Sequence, residues 1–344
     1  MISATHSRIR LGFTLIELII VIAIIVVLIA ILVPAVQKVR ASAAHVQCSN
    51  NLKQIALAAH TFEGQNKRLP PGYIGPLNNQ SFDTSIADGD PADNQWVGHL
   101  PLLLPFLDQA PLWEQVNEKF NLDKQSQPWW KPNPASPLDY PVATQTLVIF
   151  RCPASESSEI PFQAGSSRGT VVGAHFFHSG PFNRMKHLTE NYDDGTGNAY
   201  PFRLAATNYL GVCGAGKGTS PWWNSWEGVY TNRSKNRLTD VTDGTSQTLL
   251  YGEGSGRADV DPVTSALTEN AMNISWFGVG VLPSSTGLAR AESATWNQFS
   301  SNHEKGVLFA FADGTVRSLA HNLDSSILLQ LSGMRDGSSL PEFE

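Results

Sequence analysis

Cysteine is scarce in this chain of 344 residues: only Cys48, Cys152 and Cys213 occur, and no two form a C-x-x-C pair. That count allows at most one intrachain disulfide with one thiol left over, and it argues against a cysteine zinc site. Positive charge is also short. Lys and Arg number 24 against 30 Asp and Glu, for a formal net charge of −6. A chain without a basic excess lacks the electrostatic footprint of a nucleic-acid binder. No internal repeat or long low-complexity tract is present, and Gly278-Val279-Gly280 lacks the third glycine and following helix of a nucleotide fingerprint. With 42% apolar and 16% charged residues, wholesale disorder is excluded as well.

What is present concentrates at the N-terminus. Residues 1–12, MISATHSRIRLG, carry Arg8 and Arg10 and no acid, and from Leu18 to Gln37 no residue bears a formal charge. About 20 apolar residues at 1.5 Å rise cross a ~30 Å hydrocarbon layer. Lys38 and Arg40 close the run. A cleaved secretory signal fits poorly. Its apolar stretch is usually roughly 7–15 residues, and here the small-residue site Ala41-Ser42-Ala43 lies beyond two basic residues. A plain anchor fits the length but leaves Glu17 unexplained, because an acid in a membrane helix costs a few kcal/mol unless paired.

The segment Gly12-Phe13-Thr14-Leu15-Ile16-Glu17 resembles the cleavage and methylation motif of type IV prepilins and pseudopilins. The resemblance implies that prepilin peptidase, which is also the methyltransferase, cuts between Gly12 and Phe13 and N-methylates Phe13. It implies further that Glu17 of one subunit neutralises the Phe13 ammonium of a neighbour in an assembled filament, a pairing that offsets the cost of both charges in lipid. Pro34 falls where that family often carries a helix-perturbing proline. Its missing N–H frees the carbonyl of Ala30, so a kink or local melting is expected there.

Beyond the apolar run, Cys48, Leu52, Ile55, Ala59 and Phe62 recur at helical spacing and predict one buried stripe, with Lys53, Gln54 and Glu63 largely on other faces. A helix over 13–62 would be roughly 75 Å long. Gly64 and then Pro70-Pro71-Gly72 are expected to end it. Cys48 lies on the stripe. It reads as a small buried hydrophobe or as a disulfide partner of Cys152 or Cys213.

Six further segments carry a second resemblance, to the prepilin-type processing-associated H-x9-DG family, whose head is a bacterial domain of unknown function. They are Cys48–Ile55 with Leu69–Tyr73, then Trp96–Gly98 with Leu104–Leu107, Phe150–Pro153, Thr207–Gly211, Asp240–Thr248 with Gly252-Glu253, and His303 followed after nine residues by Asp313-Gly314. In order and spacing they span nearly the whole chain. The resemblance implies an architecture and no enzyme activity.

Read by themselves, the head residues favour structural roles. Asp313-Gly314 between two strand-like runs signals a hairpin, with Val307, Phe309, Phe311 and Val316 expected on one face. A His303–Asp313 dyad is rejected, since an extended strand would separate them by roughly 30 Å. Asp243-Gly244-Thr245-Ser246 reads as a turn before the strand Thr248–Tyr251. Calcium at Asp240 and Asp243 is the weaker alternative, because such a site needs 6–8 oxygens. His175 and His178 lack a third ligand nearby and read as a loop or strand pair. Trp129-Trp130 and Trp222-Trp223 with Trp226 are expected to anchor loops, with sugar stacking or subunit contacts as the alternative. Residues 78–94, 123–141 and 186–200 read as loops.

These readings combine into an α+β, pilin-like chain: a leader over 1–12, a transmembrane segment over 13–37, a soluble helical part over 38–63 and a loop-rich head on an antiparallel sheet over 64–344. The expected function is a non-catalytic, pseudopilin-like subunit of a type II secretion or type IV pilus-like system, without cofactor. Its expected partners are prepilin peptidase, the inner membrane and like subunits or other pseudopilins. The N-terminus is expected in the cytoplasm and the head in the periplasm, although Lys38 and Arg40 partly oppose that orientation. A membrane-tethered binding module that uses prepilin processing without polymerising is the alternative.

Overall fold

The computed structural model describes residues 15–76, 95–116, 120, 122–123, 129, 140–155, 171–179, 182–189, 204–216, 224–254, 274–295 and 297–338. Two compact units divide the chain, Met1–Ala44 and His45–Glu344. One helix, α1 (Leu15–Asn66), belongs to both.

In the first unit, α1 carries Leu, Ile and Val from Leu15 to Val39 with their side chains exposed. Among the described residues it is the helix long and apolar enough to cross a membrane. Pro34 sits inside it with unbroken helix on both sides, so the expected local melting does not occur.

In the second unit α1 buries Cys48, Leu52, Ile55, Ala59 and Phe62, the predicted stripe, together with Asn51, Ala56 and Ala58. Each large apolar side chain on it contributes about 1.5–3 kcal/mol by burial. The helix runs past Gly64 and ends later than expected, at Asn66. Lys67 takes the left-handed conformation (φ 58°) and donates its N–H to Glu63 O at 2.7 Å, closing the last turn.

The head is built on a five-stranded sheet. In chain order its strands are β5 (Tyr209–Val212), β6 (Leu249–Glu253), β7 (Val281–Leu282), β10 (Val307–Phe311) and β11 (Val316–Leu319), arranged β11-β10-β6-β5-β7. All neighbours are antiparallel except β5 and β7. Among the described residues, three two-stranded sheets accompany it: antiparallel β1 (Tyr73–Ile74) with β2 (Val97–Gly98), antiparallel β3 (Val171–Ser179) with β4 (Phe182–Thr189), and parallel β8 (Leu288–Arg290) with β9 (Phe299–Ser301). Short helices α2 (Leu100–Leu103), α3 (Ala110–Trp113), α4 (Tyr140–Ala143) and α5 (Ser325–Ser332) fill the connections. The fold is therefore α+β: a long N-terminal apolar helix followed by a mixed head with mostly antiparallel sheets.

The large sheet is covered on both faces. Leu308 and Ala310 of β10 join the core formed with α1, while Val307, Phe309 and Phe311 join a second core with Phe299, Leu328 and Leu331. Alternation along the strand assigns the two sets. Val316 pairs with Ala310 and packs with the first core, not beside Phe309 and Phe311 as expected. The cause is the turn. Four residues, 312–315, separate the strands, and Phe311 N donates to Thr315 O at 2.8 Å, so the register differs from that of a two-residue turn. Lys186–Thr189, read as loop, lies in β4. Of the other expected loops, residues 78–94 fall outside the described residues, and 123–141 does so for the most part.

Candidate functional site

Gly12 and Phe13 lie outside the described residues. Glu17 stands in the first turn of α1 and is exposed.

In the head, five of the segments that carry the family resemblance meet at one place. Cys48 of α1 is disulfide-bonded to Cys152, with a sequence separation of 104 and Cα atoms 5.3 Å apart. Cys213 remains a buried thiol whose pKa is raised by burial. One turn along α1, the Asn51 amide donates to Arg151 O at 3.1 Å and to the Tyr209 hydroxyl at 3.4 Å. Asn208 accepts from Cys152 N at 3.0 Å and donates to Gly254 O at 3.0 Å. Glu253 ends β6 opposite Tyr209 of β5, and His303 follows β9, so both side chains reach the disulfide.

His303 Nε2 lies 3.5 Å from Cys152 Sγ and 3.6 Å from Glu253 Oε1. Both side chains are buried. Burial pushes the Glu253 carboxyl up to about 8, with hydrogen bonding from Ser301 and the Leu308 backbone opposing the shift. Burial, helped by His45 and His321, pulls the His303 imidazole down to about 4. Near neutral pH the two therefore face each other as a carboxylic acid and a neutral ring, not as an ion pair. Burial and the nearby Glu253 also raise the Tyr209 phenol. The ring of His45 meets that of His303 edge-on at 5.0 Å, and His321 Nε2 lies 2.9 Å from His303 O. Among the described residues, Cys48, Cys152, Glu253 and His303 form the group whose donor atoms, all within 4.8 Å of one another, can hold one metal ion.

The remaining candidates have structural work. Asp313 Oδ1 accepts from Thr315 N at 2.8 Å and Thr315 Oγ1 at 2.7 Å, and Gly314 takes φ 83°. His303 and Asp313 thus act at separate places. Asp243 accepts from Asp336 N at 2.7 Å and Gly337 N at 3.1 Å, and Gly244 takes φ 102°. Asp240 accepts from Arg237 N at 2.8 Å and faces its guanidinium. Asp313 N also donates to Thr245 O at 2.9 Å, which ties the two Asp-Gly turns together. Trp129 is buried against Phe277 at 4.8 Å, and Trp226 is half-buried, whereas Trp130, Trp222 and Trp223 lie outside the described residues. The backbones of His175 and His178 lie in β3, paired with Lys186 and Asn183.

Glu253 enters the sequence reading only through the family resemblance, and its convergence with His303 has no local signal. The four donors sit 50 or more residues apart, so only the fold assembles them.

Residues 7–33 match the prokaryotic N-terminal methylation motif. Together with the apolar helix this makes the chain a type IV prepilin-like protein with an N-terminal membrane anchor. Residues 37–326 match the family described as a protein of unknown function (DUF1559), and the chain belongs to that family. No curated protein and no solved structure matches the chain.

Proposed function

We propose that this chain is a non-catalytic, pseudopilin-like subunit of a type II secretion or type IV pilus-like machine. Prepilin peptidase removes residues 1–12 and methylates Phe13, residues 13–37 hold the chain in the inner membrane, and the head works in the periplasm. The observation that carries this reading is the methylation motif over residues 7–33 leading directly into an apolar helix with Glu17 in its first described turn. Cleavage places an ammonium beside lipid, and Glu17 of a neighbouring subunit offsets it. The Cys48–Cys152 bond supports a periplasmic head, because such bonds persist in oxidising compartments. A binding role through tryptophan stacking has less support, since Trp129 is buried.

Processing is tested with Gly12→Asp. Mass spectrometry should show a retained leader of ~1 kDa, and an unchanged mature N-terminus would refute cleavage at Gly12. Assembly is tested separately by in-cell crosslinking between cysteines placed near Phe13 and Glu17. A like-with-like ladder that Glu17→Ala abolishes is expected. No ladder in the parent chain, with the processed protein in the membrane, would leave a tethered module that does not polymerise.

A further inference from the structure

The disulfide does not account for the side chains gathered round it. Cys48 and Cys152 are already bonded to each other, yet His303 Nε2 and Glu253 Oε1 are aimed at the same point, and the four donors lie within 4.8 Å. Glu253 Oε2 and His45 Nε2 are buried there without hydrogen-bond partners. A buried carboxyl oxygen left unsatisfied is unfavourable by about 1–3 kcal/mol, and native folds rarely retain one without a use. At 3.6 Å, His303 and Glu253 do not satisfy each other by a hydrogen bond.

Two sulfurs, one imidazole nitrogen and one carboxylate are the donor types of a tetrahedral zinc site, with bonds of roughly 2.0–2.3 Å. Sulfur donors favour zinc-class ions over calcium or magnesium. The donors are also rigidly presented. Cys48 is on α1, Glu253 ends β6, and the Cys152 and His303 amides are held by Asn208 and Ser301 at 3.0 Å each.

We propose that the dithiol form of the head binds one zinc-class divalent ion through Cys48 Sγ, Cys152 Sγ, His303 Nε2 and the Glu253 carboxylate, so that disulfide and ion are alternative ways of closing one site. Interconversion balances as thiol–disulfide exchange. A reducing dithiol gives up two hydrogens and becomes a disulfide, while Cys48 and Cys152 become two thiols. The ion then displaces both thiol protons and the Glu253 carboxyl proton to solvent. Oxidation reverses this: the two thiolates together give two electrons to an acceptor disulfide, which takes up two protons and becomes two thiols, while Cys48 and Cys152 bond to each other and release the ion. In an oxidising compartment the bond holds α1 to the head; where thiols persist, the ion does.

The test uses the full chain in detergent. A trialkylphosphine reduces the bond, taking the oxygen of one water to become the phosphine oxide as each sulfur gains a hydrogen. After anaerobic removal of the phosphine, the chain is titrated with Co²⁺. The expected result is one Co²⁺ per chain with thiolate-to-cobalt charge-transfer absorption and the visible bands of a tetrahedral site, both lost on adding Zn²⁺. The oxidised chain should show neither. His303→Ala and Glu253→Gln should each weaken binding by at least about tenfold, and Cys213→Ala should leave the spectrum unchanged. Reduced chain without these bands, or with bands insensitive to His303→Ala and Glu253→Gln, would overturn the proposal. Should reduction abolish the near-ultraviolet circular dichroism of the head, Zn²⁺ must restore it; failure to do so would overturn it equally.

Discussion

Asn208 clamps Cys152 in place through both ends of its amide: Oδ1 accepts from Cys152 N and Nδ2 donates to Gly254 O, each at 3.0 Å. Because Gly254 follows Glu253 directly, one buried side chain sets the distance between the disulfide and the carboxyl end of β6. Asn208→Ala leaves a buried N–H and a buried C=O without these partners. The expected loss is about 2–4 kcal/mol, read as a lower denaturation midpoint in detergent. Asn208→Asp should rescue only part of it, since a carboxylate accepts from Cys152 N but cannot donate to Gly254 O. Equal stability of both variants and the parent would show that the clamp is not needed.

Gly280 is a second point where backbone meets backbone. A Cβ there would run into the carbonyl oxygen of Gly72, and His99 Nδ1 stands 3.0 Å away. The neighbour is main chain held by Gly72 N donating to Thr231 O at 3.0 Å, so it cannot swing aside as a side chain would. Gly280→Ala should therefore destabilise the head by about 2–4 kcal/mol. Gly337→Ala meets no atom but sits at φ 73°, and should cost less, about 1 kcal/mol. A denaturant titration comparing the two variants checks the order.

The sequence made some of this legible and not the rest, for physical reasons. Cys48, Leu52, Ile55, Ala59 and Phe62 are all buried on α1, because a helical stripe is encoded within a few residues of itself. Asp313-Gly314 marked its hairpin because the turn needs a left-handed glycine, here at φ 83°. The face that Val316 takes is not legible, because register depends on turn length, which the Asp-Gly pair alone does not fix. Gly64 suggests too early an end for α1, because it does not stop a helix whose closing residue is Lys67. The Cys48–Cys152–Glu253–His303 cluster was least visible. Its members come from four separate segments, and His303 invites pairing with Asp313 of its own motif, while Glu253 arrives from the neighbouring strand system.

Acid should weaken the head through His99. Its ring is fully buried, stacked on Tyr230 at 4.7 Å and tilted against Tyr251, with Nδ1–H donating to Gly72 O at 3.1 Å. Burial drives its pKa down from 6.5 to about 4. Among the described residues, the titratable side chains against it are the neutral phenols of Tyr230 and Tyr251, joined by a 2.8 Å hydrogen bond, with Glu63 acting at longer range on Tyr230. The unfolded chain takes up a proton below pH ~6.5, whereas the folded one resists until about 4, so stability falls as pH drops through that window. His303 adds to the fall, and Glu253, whose carboxyl is raised from 4.5 to about 8, acts with the opposite sign between those two values. His99→Phe keeps the stacking and removes the proton. The parent should lose about 3 kcal/mol relative to this variant between pH 7 and 4. Parallel stability curves for the two chains would show that His99 does not titrate on unfolding.

The disulfide fixes a thiol count that a labelling experiment can read. Cys48 and Cys152 are bonded and Cys213 is a fully buried thiol, so the folded chain should resist alkylation. Denatured without reductant, it should take one label, mapped to Cys213; reduced and denatured, it should take three. Cys48 is the anchor by which α1 is stapled to the head across a sequence separation of 104. Closing so long a loop restricts the unfolded chain by up to about 4.7 kcal/mol on the chain-entropy account. Cys48→Ala with Cys152→Ala should therefore lower head stability by about 2–5 kcal/mol. Cys213→Ala removes a small buried side chain without cutting a cross-link and should cost less. If instead the double variant were as stable as the parent, the packing of Leu52, Ile55 and Phe62 would be holding α1 without the covalent bond.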